Sequence, residues 1–163
     1  MLISKNISPA WKLLISVMVC ESVGFISGFL TMTDMNIWFD TLNKPSWNPP
    51  SDLFGPVWTA LYLLMGVSLW LVWKSPVPYE AKKKPELIFI IQLLLNFCWS
   101  FLFFKCHSPS LAFADIILML IAILLTIISF SKVSRLAAVL LIPYIGWVSF
   151  AAILNYTIWI MNS

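Results

Sequence analysis

Four side chains stand where chemistry would be least expected: Glu21, Gln92, Asn96 and Asp115, each set inside a long apolar run. Ionisable groups in hydrocarbon are costly and default to functional candidates. Glu21 precedes Gly24 by one helical turn, and Gly24 pairs with Gly28 in "GFISG". Small residues four apart let helices approach closely, so this stripe should face protein. Glu21 is then either an acid hydrogen-bonded within a bundle or a proton or ligand contact. Asp115 falls in the first turn or two of its run, where a helix dipole favours a carboxylate; a cap or an ion pair is the preferred reading. In "QLLLNFCWS", Gln92, Asn96 and Trp99 follow at spacings of four and three and share one helical face. Amides in hydrocarbon need partners, so that face looks inward, to hydrogen-bond neighbouring helices at about 0.6 kcal/mol per contact or to meet a ligand. In "PYIGWVSFAAILNY", Trp147, Ala151 and Asn155 form another stripe. Pro143 and Gly146 predict a kink near the middle of that segment.

The elements that must position these groups follow from composition. The chain has 163 residues, 61% hydrophobic and 10% charged, with mean hydropathy +0.92, against roughly 25% charged residues in soluble domains. Five apolar runs approach the length of about 20 residues that crosses a bilayer: about 13–32, 53–73, 87–104, 111–130 and 136–161. None alternates like an outer-membrane strand. The fold class expected is all-α, a single domain over 1–163 with five transmembrane helices. Short connectors make successive helices antiparallel neighbours. The first run is interrupted by Glu21 and lacks a small-residue cleavage site, so it reads as a retained span and not a signal peptide.

Lys5, Lys12, Lys74, Lys82, Lys83, Lys84, Lys132 and Arg135 fall on one side, and Lys44 and Lys105 on the other. By the positive-inside rule the N-terminus is cytoplasmic, and the first loop and the C-terminus face outward. The net charge of +3 is thus a topology signal, with no nucleic-acid partner implied. With no Arg-rich transit segment, a bacterial cell membrane is the expected location. Cys20, Cys98 and Cys106 are unclustered, which gives neither a disulfide framework nor a metal site. His107 has no ligand cluster near it in sequence and reads as a solvated interfacial histidine. No nucleophile–base pair or phosphate loop suggests an ordinary enzyme.

The first connector, "WFDTLNKPSWNPP" from Trp38 to Pro50, is stiff and aromatic. Pro45, Pro49 and Pro50 each fix a backbone torsion, while Trp38 and Trp47 carry apolar mass that would not stay in water. Such a segment should fold onto the bundle mouth as a lid. Trp11, Trp70, Trp73 and Trp159 fit interfacial belts, which leaves Trp58, Trp99 and Trp147 for the interior.

These motifs, with "FGPVWTALYLLMGVSLWLVW" and "QLLLNFCWSFLFF", resemble in order those of the tryptophan-rich sensory protein or translocator protein family (TspO/MBR, which includes the peripheral benzodiazepine receptor) over almost the whole chain. The resemblance implies a five-helix homodimer in the lipid bilayer, with a pocket under the first loop that takes porphyrins such as protoporphyrin IX. It also implies, for some bacterial members, a light-dependent porphyrin degradation that needs pocket tryptophans. Carried over residue by residue, the ligand contacts fall on Phe39, Pro49, Trp58, Tyr62, Asn96, Trp99, Ser100, Trp147 and Ala151. Trp38, Lys44 and Trp47 belong to the lid, and Trp58 and Trp147 would be the reactive pair if the chemistry is photochemical. Aromatic rings stack on a flat tetrapyrrole, and Lys44 could meet a propionate.

Two departures matter. Phe39 stands where the family often has Tyr, and "LNYTIWIMNS" lacks the basic residue of the proposed cholesterol motif, so sterol binding is not inferred. The function expected is porphyrin sensing, sequestration or light-dependent degradation. Transport of porphyrin or lipid-like molecules is the alternative, and a scaffold whose aromatic pocket only stabilises the dimer is a third reading. No internal repeat of the alternating-access kind is present.

Overall fold

The computed structural model describes residues 8–163, and for residue 36 the backbone only. It is an all-helical bundle. The elements are α1 (Pro9–Thr41), α2 (Ser51–Lys74), α3 (Tyr79–Ser100), a π turn over Phe101–Lys105, α4 (Pro109–Ser131), a short α5 (Arg135–Val139) and α6 (Ile142–Met161). Five stretches are long and apolar enough to cross a membrane, the fifth formed by α5 and α6 together. Large apolar side chains such as Phe25, Phe29, Leu118 and Ile153 are more than half exposed. On a soluble protein such a surface would drive association, whereas lipid tails accept it.

The described helices overrun the expected spans. α1 continues through Trp38, Phe39, Asp40 and Thr41, so the first four residues of the anticipated lid motif are helix and the true connector is residues 42–50. Nothing in "MNIWFDT" breaks a helix, and the chain turns only at Leu42, whose N–H bonds the Phe39 carbonyl at 3.3 Å. α3 begins eight residues before the expected run and absorbs the lysine-rich segment. The Glu80–Lys83 ion pair at 2.7 Å supports that first turn, and Lys82 turns inward to donate to the carbonyls of Trp73 and Ser75. Lys5 lies outside the described residues.

The last span is broken near its start and shows no break at its middle. Pro143 occupies the first turn of α6, where a missing N–H costs nothing. The discontinuity falls at Leu140–Leu141, and the Ala137 carbonyl beside it accepts from the Ser68 hydroxyl at 2.7 Å. The connector after α1 is clasped to the end of α6. Asn162 accepts from the Asn43 N–H and donates to the Asn43 carbonyl, both at 2.9 Å.

The packing of α1 on α2 sets up everything that follows. Toward the start of α1 and the end of α2 the backbones nearly touch: a Cβ on Gly66 would lie 2.6 Å from the Val17 Cα. One turn outward, the Tyr62 ring lies against Gly24, in the space a Cβ would take. Beyond that point Gly28 and Gly55 have nothing within 4 Å of a notional Cβ. The two helices have parted.

Candidate functional site: an aromatic cavity between splayed helices

The gap holds a cavity of about 420 Å³, within the range of roughly 300–1,000 Å³ usual for small-molecule sites. α1 forms one wall from Glu21 to Phe39, α2 a second from Ser51 to Tyr62, the end of α3 with the π turn a third, and α6 a fourth from Ala151 to Ile158. Gly24 and Gly28 therefore serve two purposes, the first seating Tyr62 and the second leaving open space.

Of the residues expected to contact a ligand, Phe39, Trp58, Tyr62, Trp99, Ser100 and Ala151 line this cavity. Trp58 tilts against Tyr62 with ring centroids 5.7 Å apart and meets Tyr144 edge-on at 6.4 Å. Trp99 stacks on Phe103 at 5.5 Å, and its Nε1 donates to Asn155 Oδ1 at 3.0 Å. Asn155 in turn donates to the Pro109 carbonyl at 2.7 Å, so this amide holds the indole in place.

Asn96, Trp147 and Pro49 stand outside the lining. Asn96 is buried one layer behind Tyr62, accepts from the Tyr62 hydroxyl, and donates to the Tyr144 hydroxyl at 3.2 Å. Its hydrogen-bonding capacity is spent on joining α2, α3 and α6. Trp147 packs against Phe54 and Phe150, with centroids at 6.0 and 5.5 Å. Its indole N–H is buried without a partner among the described residues, and only Phe54 of this trio reaches the cavity. Pro49 is half-buried in the connector, where its carbonyl accepts from the Asn48 side chain at 2.9 Å.

The expected lid residues also part company. Lys44 extends over Phe39, 4.5 Å from the ring centroid, and lies 3.5 Å from Asp40. It therefore covers a lining residue without lining the cavity itself. Trp47 packs edge-on against Phe150 at 5.9 Å. Trp38, helical, stacks on His107 at 4.5 Å. His107 is not simply solvated: its Nε2 lies 3.3 Å from one Asp34 oxygen, while Lys105 binds the other at 2.9 Å. Asp34 thus ties α1 to the π turn across the outer edge of the bundle.

Asp115 makes no ion pair and no cap. It is buried nearly two turns beyond the start of α4, and its Oδ2 has no hydrogen-bond partner among the described residues. Glu21 lines the cavity without the bundle hydrogen bond expected for it. Sequence reasoning missed Phe54, Phe103, Phe104, Ser27 and Thr31 as lining residues. Phe103 and Phe104 repeat Trp99 and Ser100 four residues on, a signal available in the pattern. Ser27 and Thr31 were hidden among apolar neighbours, and each hydroxyl bonds a carbonyl of its own helix.

A profile of the TspO/MBR family matches residues 16–160. The chain belongs to the TspO/MBR family. A Tryptophan-rich protein TspO of Archaeoglobus fulgidus is 39% identical over 152 residues, covering 93% of this chain and 97% of that protein. A protein of the same name from Chlorobaculum tepidum is 43% identical over 144 residues, covering 88% and 91%. The Translocator protein of Homo sapiens is 35% identical over 154 residues, covering 93% and 91%. The TspO/MBR match spans every wall of the cavity, from Glu21 to Ile158. The protein is a multi-pass membrane protein of this family.

Proposed function

We propose that the cavity binds a flat, largely apolar tetrapyrrole of the protoporphyrin class, for sensing, sequestration or light-dependent breakdown of the pigment. The observation that carries this reading is the pair of indoles lining the cavity from different walls, Trp58 on α2 and Trp99 on α3, with Phe39 and Phe104 adding to the aromatic lining. Such rings stack in offset or edge-on geometry on a large π surface. Propionates would stay at the outer mouth, where Lys44 and Lys105 supply positive charge. In a photochemical role, Trp58 is the indole placed to donate an electron to an excited pigment.

A second reading, passage of such molecules through the membrane, is favoured by the side of the cavity. Phe25, Gly28, Gly55 and Thr59 line it and are also exposed on the outer surface of α1 and α2. Both readings are tested by titrating the detergent-purified protein with protoporphyrin IX, following tryptophan fluorescence in the dark and pigment absorbance under light. Saturable quenching is expected, weakened more by Trp58→Phe than by Trp147→Phe. Pigment loss under light that disappears in Trp58→Phe supports breakdown, and binding without loss leaves sensing or passage. Absence of saturable binding refutes the tetrapyrrole reading.

A further inference from the structure

Glu21 is a carboxyl at bilayer depth that the bundle leaves without a partner. It is the thirteenth residue of α1, about 18 Å from the helix start at 1.5 Å per residue. It forms no ion pair or hydrogen bond among the described residues. It lies at the inner end of the cavity, one turn below the point where α1 and α2 part. No aspartate, lysine, arginine or histidine lines that cavity among the described residues, so Glu21 is its one carboxyl and faces no built-in cation. The protons of Ser27, Thr31, Thr59 and Tyr62 are already given to carbonyls or to Asn96, and the other lining hydroxyls, Ser51 and Ser100, make no bond to Glu21. A carboxyl in hydrocarbon is expensive unless paired, and here the missing partner has to come from whatever fills the cavity.

We infer that the site takes a second class of ligand, flat apolar molecules that carry a protonated amine or a strong N–H donor, with Glu21 as the group that recognises it. Two features of the site fit that chemistry. The aromatic walls accept the flat body, and a charge-assisted N–H···carboxylate bond is stronger than a neutral one. The side opening bounded by Phe25, Gly28, Gly55 and Thr59 lies at membrane depth, so a molecule already dissolved in the bilayer reaches Glu21 without crossing the lid. The inference rests on the cavity and does not require that a tetrapyrrole bind there.

The test is a comparison of two probes of similar shape, cationic 9-aminoacridine and neutral 9-methylanthracene, titrated into the full-length protein in a non-ionic detergent with tryptophan quenching as the readout. The wild type should bind the amine about tenfold or more tightly than the hydrocarbon, the scale of one ionic hydrogen bond in a dry site. Glu21→Gln should bring the two affinities together by weakening the amine alone. An unchanged hydrocarbon affinity in Glu21→Gln shows that the variant is folded. A preference for the amine that survives Glu21→Gln, no preference in the wild type, or no binding of either probe would each overturn the inference. Protoporphyrin IX titrated in parallel separates the two readings: its failure to bind, with the amine preference intact, removes the tetrapyrrole and leaves Glu21 as assigned.

Discussion

The cohesion of the bundle beneath the cavity should depend on Asn96, and the size of that dependence follows from its contacts. Replacement by leucine keeps the side chain about the same size, so no large void is created, but both tyrosine hydrogen bonds go, together with a weak one to the Met119 sulfur at 3.7 Å. The Tyr62 hydroxyl loses its acceptor and the Tyr144 hydroxyl loses its donor. Interhelical hydrogen bonds in membranes average about 0.6 kcal/mol, so the two bonds alone account for about 1.2 kcal/mol. Orphaned hydroxyls add to this, at about 1–3 kcal/mol for a buried group left unsatisfied. Tyr62 has Ser27 nearby as a substitute, whereas fully buried Tyr144 keeps only the Met119 sulfur at 3.5 Å. One orphan, not two, gives an expected loss of about 2–4 kcal/mol for Asn96→Leu.

The assay is reversible unfolding in mixed detergent micelles, read by tryptophan fluorescence, for Asn96→Leu, Tyr144→Phe and the double variant. Removing the Tyr144 hydroxyl removes the orphan, so the double variant should be more stable than the sum of the single losses predicts, by about 1 kcal/mol. Strict additivity, or an Asn96→Leu loss below about 0.5 kcal/mol, would refute the assignment of Asn96 to bundle cohesion and return it to the ligand.

Two further outcomes follow from the α1 contacts. Gly66→Ala places a methyl 2.6 Å from the Val17 backbone and should cost about 1–3 kcal/mol by overpacking, while Gly28→Ala, which meets nothing within 4 Å, should leave the unfolding midpoint unchanged. Asp34→Asn removes the charge that holds Lys105 and His107; the pair is partly solvated, so the loss should stay below about 1 kcal/mol and shrink as salt is added, measured as the difference from wild type in low and high salt.

The membrane class, the five spans and the inward face of α3 were all legible, because each rests on periodicity and on the cost of polar groups in hydrocarbon. Asn96 shows where that reasoning stops. Spacing places an amide on an inner face, but only packing decides whether it meets a ligand or two tyrosines from helices 34 and 48 residues away. Trp147 falls outside the cavity lining for a related reason. Its stripe with Ala151 and Asn155 is real, yet Phe54 stands between its ring and the cavity. Helix ends were drawn short because lysines read as connector, although Lys82 buries its ammonium against two carbonyls.

The π turn is the feature that no pattern in "FLFFK" announces, since it contains neither proline nor glycine. Its signature is the Cys106 N–H reaching back five residues to the Phe101 carbonyl at 2.9 Å. One residue beyond an α-helical turn retards the chain by about 100°, so the residues after it point elsewhere than a continued α-helix would send them. Lys105, the last residue of the turn, and His107, just beyond it, both turn to Asp34 on α1. His107 completes the reversal in the left-handed region at φ 50°, a conformation histidine adopts more readily than branched residues do. Phe103 and Phe104, inside the turn, stay on the cavity side with Trp99 and Ser100. The turn therefore separates two tasks along one helix: four ring and hydroxyl groups for the wall, then Lys105 and His107 to fasten α1 at Asp34. With α1 held through Asp34 at one end and against Gly66 at the other, the splay between them is fixed at both ends.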